Sequence, residues 1–264
     1  MSLPAPVSDA EALRIDSALT TLHLPGAKQA WRALVRDAAL ATPSLGSFLG
    51  AVLETELHTR AENALRQRLR QARFPVLKTL ESFDFAAHPS VDKATILALA
   101  SGDFVRRHHN VVCVGAPGTG KTHLAVGVGL CCVQAGYHVR FTTAVALAQE
   151  LMAAAAEHRL PRVLATWRRA DLVILDELGF IPLSREGSQT LFQFFADRYE
   201  TRSVLITTNL PFGRWTDVFT DPHMTAALLD RVLHHAQILE HTGTSHRFAE
   251  SLGRQTLPEG GGPP

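Results

Sequence analysis

Cysteine is scarce here and badly spaced for chemistry: Cys113, Cys131 and Cys132 are the only three in 264 residues. Their spacing fits neither a zinc site nor a disulfide framework, so they read as reduced, packed thiols of an intracellular protein. Long apolar runs are missing too. No stretch approaches the roughly 18 residues a membrane helix needs, and the first residues do not resemble a signal peptide. Charge of one sign is also lacking, with 26 Lys and Arg against 25 Asp and Glu and a net charge of +1. The total therefore says nothing about partners, and only the distribution of charge can. Internal repeats are absent. What remains is an ordinary globular composition, 46% hydrophobic and 19% charged, long enough for one α/β domain and a smaller appendage. The thirteen histidines show no ligand pattern and read mostly as surface or helix-end residues.

Gly115-Ala116-Pro117-Gly118-Thr119-Gly120-Lys121-Thr122 is a complete G-x-x-x-x-G-K-[ST] phosphate-binding loop. The β-prone run Val111 to Val114 precedes it, and a segment able to propagate as a helix, His123 to Gln134, follows. In this order the loop's N–H groups and the helix N-terminus form a concave anion site. Lys121 can reach the β- and γ-phosphates, and the Thr122 hydroxyl can ligate Mg²⁺. The cofactors implied are ATP and Mg²⁺.

A second apolar run, Leu172 to Leu175, ends in Asp176-Glu177. Asp176 suits the metal's outer shell, through water, and Glu177 can orient the attacking water. The same pair would also suit a helix cap. Ser203 to Thr208 is a third strand and ends at Asn209, which can bond the attacking water or simply form a turn before Leu210-Pro211.

The N-terminal part reads as three helices: Asp9 to Leu22, Gly26 to Leu40, and Ser44 or Ser47 towards Arg73, with Pro75 as the stop. On the third, Leu53, Leu57, Ala61, Leu65 and Ala72 share the expected apolar face. Arg66, Arg70 and Arg73 form a basic stripe on another face. It is either a solvated face or a candidate contact for the backbone of double-stranded DNA. Phe83 and Phe85 sit in a hinge and could dock on the core, the reading preferred, or flank a base in the nucleotide pocket, and Val91 to Val105 reads as one helix. Strands at Tyr137 to Thr142 and Ala236 to Glu240 complete a set of five. Helices are expected at Ala144 to Glu157, Arg185 to Tyr199 and His223 to His234. The fold class expected is α/β, a five-stranded parallel sheet with helices on both faces and a small N-terminal all-helical domain. The expected divisions are an N-terminal DNA- or partner-binding domain at 1–78, a linker and lead-in helix at 79–109, a core at 110–248 and a disordered tail at 249–264.

The phrases GAPGTGKTHLA, LVILDELGF, RYETRSVLITTNLPF, AALLDRVLHHAQIL and GTSHRF, with LHLPGA, SFLGAVLETEL and ARFPVLKTLESFDF before them, carry a resemblance. From about Leu19 to Phe248 the chain resembles the IstB-like transposition helper ATPases of bacterial insertion sequences, themselves similar to DnaC-type helicase loaders within the AAA+ class. The resemblance implies a P-loop ATPase that is slow unless assembled on DNA and that acts as a homo-oligomer with nucleotide at subunit interfaces. Its partners would be duplex DNA and a cognate transposase, and its place the bacterial cytoplasm. It makes Asn209 a sensor and Arg231 an arginine finger acting in trans, with Arg198 and Arg202 as rivals. Arg247 becomes a contact to nucleotide or DNA. The stretch after His241 is too short for the helical lid of other AAA+ proteins, as in the loaders. The family carries Tyr where this chain has Phe180 and His246. Two other readings stay open: a helicase loader, and a nucleotide-gated scaffold with little turnover.

Overall fold

The computed structural model describes residues 7–41 and 44–242. The chain divides into two compact units, one up to Gln67 and one from Arg68 onward. Helices α1 (Asp9–Thr21), α2 (Pro25–Ala41) and α3 (Leu45–Ala72) come first, and α3 runs through the division. Ser8 and Glu11 form a reciprocal capping box at the start of α1, so two of the helix's orphan donors are satisfied. In the first unit Ala12, Ala27, Trp31 and Val52 form a small core. The expected apolar face of α3 is buried only in part: Ala72 is buried, Leu53 and Leu57 are exposed, and in the first unit Val52 and Glu56 point inward. The reason is polar. The Glu56 carboxylate accepts from the backbone N–H groups of Gly26 and Ala27 at 2.8 and 3.1 Å. These are donors that the start of α2 cannot satisfy within its own helix.

In the second unit, α4 (Lys93–Ala100) and α5 (Asp103–Arg106) replace the single helix expected over Val91 to Val105. Gly102, at φ +77°, breaks it, and a Cβ there would lie 2.5 Å from the Tyr137 ring. Then follow β1 (Asn110–Gly115), α6 (Lys121–Gln134), β2 (Val139–Thr143), α7 (Ala144–Ala156), α8 (Leu160–Arg168) and β3 (Leu172–Leu178). The chain continues through α9 (Arg185–Arg198), β4 (Ser203–Thr208), α10 (Thr216–Phe219), α11 (Pro222–Leu233) and β5 (Ala236–His241). The sheet is parallel throughout, in the order β2-β3-β4-β1-β5. Alternation along the strands splits the core. Val112, Val173, Leu175, Val204 and Ile206 join Leu147, Leu151, Leu191, Phe194 and Leu228 of α7, α9 and α11. Ile174 points the other way, onto α6, where a Cβ on Gly129 would lie 2.5 Å from it. Both faces are therefore covered, as a parallel sheet requires. Among the described residues no helix is long and apolar enough to cross a membrane.

Arg198 closes the amino end of the sheet. It is 1% exposed and donates to the carbonyls of Trp167, Ala170, Asp171 and Ser203 at 2.8–3.4 Å. Burial lowers its pKa to about 9, so the guanidinium stays charged at neutral pH. Arg198→Met leaves those carbonyls without a donor and should cost about 3 kcal/mol in a denaturant titration. Glu56 gives an acid test. Arg60, reinforced by the N–H groups of Ala27 and Gly26, holds its carboxyl below the usual range against the effect of burial. A depressed pKa contributes stability above the unfolded-state value and loses it as pH falls through the folded one. Glu56→Gln should lower the melting midpoint at pH 7 and leave it unchanged in acid, where the wild-type carboxyl is protonated.

Candidate functional site

The phosphate loop leaves the carboxyl end of β1 and returns into α6. Gly118 and Gly120 hold φ of +80° and +83°, the left-handed region that only glycine enters without cost. Gly120 has a second reason to be glycine: a Cβ there would lie 2.6 Å from the ring of Phe83. At Gly115 the Cβ would meet the His241 carbonyl oxygen at 2.1 Å. The loop is braced from within, since the Thr119 hydroxyl donates to the Ala116 carbonyl at 2.8 Å. The Lys121 ammonium crosses the loop and donates to the Gly115 and Ala116 carbonyls at 2.9 and 2.7 Å.

Asp176, 5% exposed, faces the start of α6. Its carboxylate accepts from the Thr122 hydroxyl at 3.0 and 3.2 Å and from the Thr207 hydroxyl of β4. The Thr207 oxygen in turn accepts the Glu177 N–H at 3.0 Å. Pairing of β3 with β4 shifts register between Leu175 and Leu178, and Glu177 takes φ +59° there. The bulge turns Glu177 out of the ladder and into solvent. A cavity of about 110 Å³ is lined by Lys121, Thr122, Glu177, Thr207 and Asn209, among others. The Asn209 Oδ1 is buried beside it without a hydrogen-bond partner. Lysine, hydroxyl, two carboxylates and an orphaned amide oxygen thus converge on one small space, which suits a γ-phosphate and its attacking water. A hard cation fits the oxygen donors Thr122 and Asp176.

A second cavity, of about 260 Å³, is lined by Lys78, Ser82, Phe83, Asp84 and His88 together with Gly118 and Gly120 to His123. Phe83 docks on the core as expected, edge-on to Phe85 and His123 at 4.9 and 5.2 Å. Most of the described histidines lie exposed or partly exposed, as expected, with two exceptions beside the loop. His88 and His241 are buried, and the His241 Nδ1 lies 3.1 Å from the Thr119 carbonyl. Burial lowers the pKa of His241 and of His123, and with His88 they bring three imidazoles to the loop. No sequence spacing could find them, because His88, His123 and His241 come from three separate elements. Beneath the loop, burial pushes the Cys113 thiol up to about 12, and it stays protonated.

The arginines separate sharply. Arg198 is sealed in the core and cannot serve as a finger. Arg202 bonds the Arg168 and Thr201 carbonyls. Arg231, in the last turn of α11, donates to the Ala227 carbonyl at 3.0 Å and lies 5.0 Å over the Phe192 ring. It lines a recess with Asn110 and Val204, at the amino ends of β1 and β4. The basic stripe is broken. Arg66 pairs with Glu62 at 3.1 Å, Arg70 stays exposed on α3, and α3 ends at Ala72. Arg73, at φ +55°, leaves the helix and lines a cavity of about 280 Å³ with Arg140, Arg169 and His138. Arg247 lies outside the described residues, as do His246 and the expected tail.

Residues 17–253 match the family described as IstB-like ATP binding protein. A putative insertion sequence ATP-binding protein of Sinorhizobium fredii is 40% identical over 240 residues, covering 90% of this chain and 80% of that one. The IS21 putative ATP-binding protein of Pseudomonas aeruginosa is 39% identical over 230 residues, 85% of this chain and 87% of its own. Among solved structures, DnaA bound to AMPPCP and single-stranded DNA superposes with a TM-score of 0.53 at 18% identity, covering 71% of this chain and 58% of that one. The DnaC helicase loader superposes at 0.50 and 21%, covering 56% and 87%. Those two likenesses establish an AAA+ P-loop fold. With a five-stranded parallel sheet, an intact phosphate loop and a family model spanning most of its length, this chain belongs to the IstB-like ATP-binding proteins of insertion sequences and is a P-loop ATPase.

Proposed function

We propose that the protein is an ATP-dependent, DNA-binding helper of transposition. Subunits assemble on duplex DNA with ATP at their boundaries, the assembly recruits and activates a transposase, and hydrolysis resets it. The observation that carries this reading is the placement of Arg231 against that of the phosphate loop. They lie at opposite ends of a sheet whose six-residue β1 spans about 20 Å. Arg231 cannot reach the γ-phosphate of its own subunit, so any finger role is in trans and requires assembly.

Within one subunit the chemistry divides among named groups. Loop N–H donors and Lys121 bind the phosphates and balance charge on the departing oxygens. Glu177, freed from the ladder by the bulge, orients a water and accepts its proton as the water attacks the γ-phosphorus and the bond to the bridging oxygen breaks, leaving ADP and phosphate. Asn209 offers its amide to the same water or to a γ-oxygen. Thr122 and Asp176, the latter through water, would hold a Mg²⁺ that neutralises the β- and γ-phosphate oxygens. The loader reading rests on the fold alone, and the family model favours the helper. The relatives' names, which place them in insertion sequences, support the same choice.

For DNA, Arg73, Arg140 and Arg169 surround a single cleft whose lining contains no acid. The Arg140 guanidinium stacks 3.5 Å from the Trp167 ring centre, which fixes its plane. Backbone phosphates suit this cleft, and binding is mostly non-specific and salt-sensitive.

Three outcomes follow. Glu177→Gln should keep ATP affinity and lower turnover by about 100-fold or more in a phosphate-release assay, and unchanged turnover would remove Glu177 from the mechanism. In sedimentation with duplex DNA, ATP and Mg²⁺, the wild type should form DNA-bound oligomers and Arg231→Ala should not. A nucleotide-bound monomer without DNA affinity would end the helper reading. Replacing Arg73 and Arg140 together by Ala should weaken binding across sequences and flatten the log-affinity against log-salt slope by roughly 0.9 per arginine.

A further inference from the structure

A second cluster of chemistry-bearing side chains lies at the amino end of the sheet, away from the phosphate loop. His234 caps the C-terminus of α11, His235 is the next residue, and Glu200 follows the end of α9. One ligand atom from each lies within 4.8 Å of the other two. The arrangement joins two turns that are well separated in sequence, and both imidazoles have ring or hydroxyl neighbours. The two imidazole rings are 4.0 Å apart between centres. His109 stacks on His235 at 5.2 Å with the ring planes 13° apart. The Tyr199 hydroxyl lies 3.0 Å from the His234 Nδ1, and the Glu200 Oε1 lies 3.9 Å from the same nitrogen.

We propose that Glu200, His234 and His235 form a binding site for a divalent transition-metal ion of the zinc class. Two borderline imidazole nitrogens with one carboxylate suit Zn²⁺, Co²⁺ or Ni²⁺, whereas Mg²⁺ and Ca²⁺ take all-oxygen sets. A tetrahedral ion with bonds of about 2.0–2.1 Å wants ligand atoms roughly 3.3 Å apart. Exposed side chains already within 4.8 Å close that gap by small rotations about their own bonds. Three protein ligands leave the fourth position open. The site ties the turn after α9 to the junction of α11 and β5, just beyond Arg231 in the chain. Its ion would stiffen the segment that carries that arginine. This inference stands on the cluster alone and does not depend on the proposed function.

The test is calorimetric titration of the tag-free chain with ZnCl2, and with CoCl2 read by its visible absorption, without nucleotide. One saturable equivalent per chain is expected, with the intense absorption of a tetrahedral cobalt site. His234→Ala and His235→Ala should each weaken binding by roughly 10–100-fold. Glu200→Gln, which leaves both rings in place, should change the cobalt spectrum and weaken binding. It carries the test if a histidine variant fails to fold. Two results would overturn the site: no saturable binding below about 1 mM, or binding that persists unchanged in Glu200→Gln and in the double histidine variant.

Discussion

The active centre depends on one carboxylate. Asp176 accepts the Thr122 hydroxyl from the first turn of α6 and the Thr207 hydroxyl from β4, while its backbone belongs to β3. Those three elements carry the phosphate loop, the acidic pair and the approach to Asn209. Thr207 does double service, because the oxygen that donates to Asp176 also receives the Glu177 N–H. The position of Glu177 is thus set by a threonine on the neighbouring strand. Removing the Asp176 charge would loosen three elements at once and leave the buried Thr207 hydroxyl and the half-buried Thr122 hydroxyl short of an acceptor.

The two ends of the sheet divide the work. Strand carboxyl ends in a parallel sheet gather loops and helix N-termini, and phosphate chemistry collects there. The amino ends hold Arg198 in a ring of carbonyls and leave Arg231 on a partly exposed helix end. Two arginines, each in the last turn of its helix, therefore have opposite fates. Arg198 lies on the inner face of α9, where each guanidinium nitrogen that bonds does so to backbone. Arg231 projects where, among the described residues, the Ala227 carbonyl and the face of Phe192 restrain it.

Much of this was legible in the sequence. All five strands, the loop and the helices α6, α7, α9 and α11 follow from apolar runs and from punctuation by Gly, Pro, Asp and Ser. What was not legible has physical causes. The single helix expected before β1 breaks at Gly102, whose left-handed backbone is set by the Tyr137 ring, a contact from beyond the phosphate loop and α6. The apolar stripe of Leu53 and Leu57 lost to Glu56, because two orphan N–H groups of another helix outweighed hydrophobic pattern. α8 went unread because no glycine marks the turn before it. His158, at φ +55°, does a glycine's work there. The buried imidazoles around the loop come from distant segments and leave no local trace.

Seven non-glycine residues among those described hold positive φ: His23, Arg73, His108, His158, Glu177, Glu200 and Thr220. Six follow a helix end, where a left-handed residue is the ordinary way to stop. Glu177 alone sits inside a strand, and nothing about ending a helix explains it. A side chain in that conformation costs roughly 1–2 kcal/mol that glycine would not incur. The fold would therefore be more stable with glycine at 177, and the strand would lose its carboxylate. Selection for stability and selection for turnover pull in opposite directions at this one position, so an unassisted search for hardier variants of this protein would tend to find inactive ones.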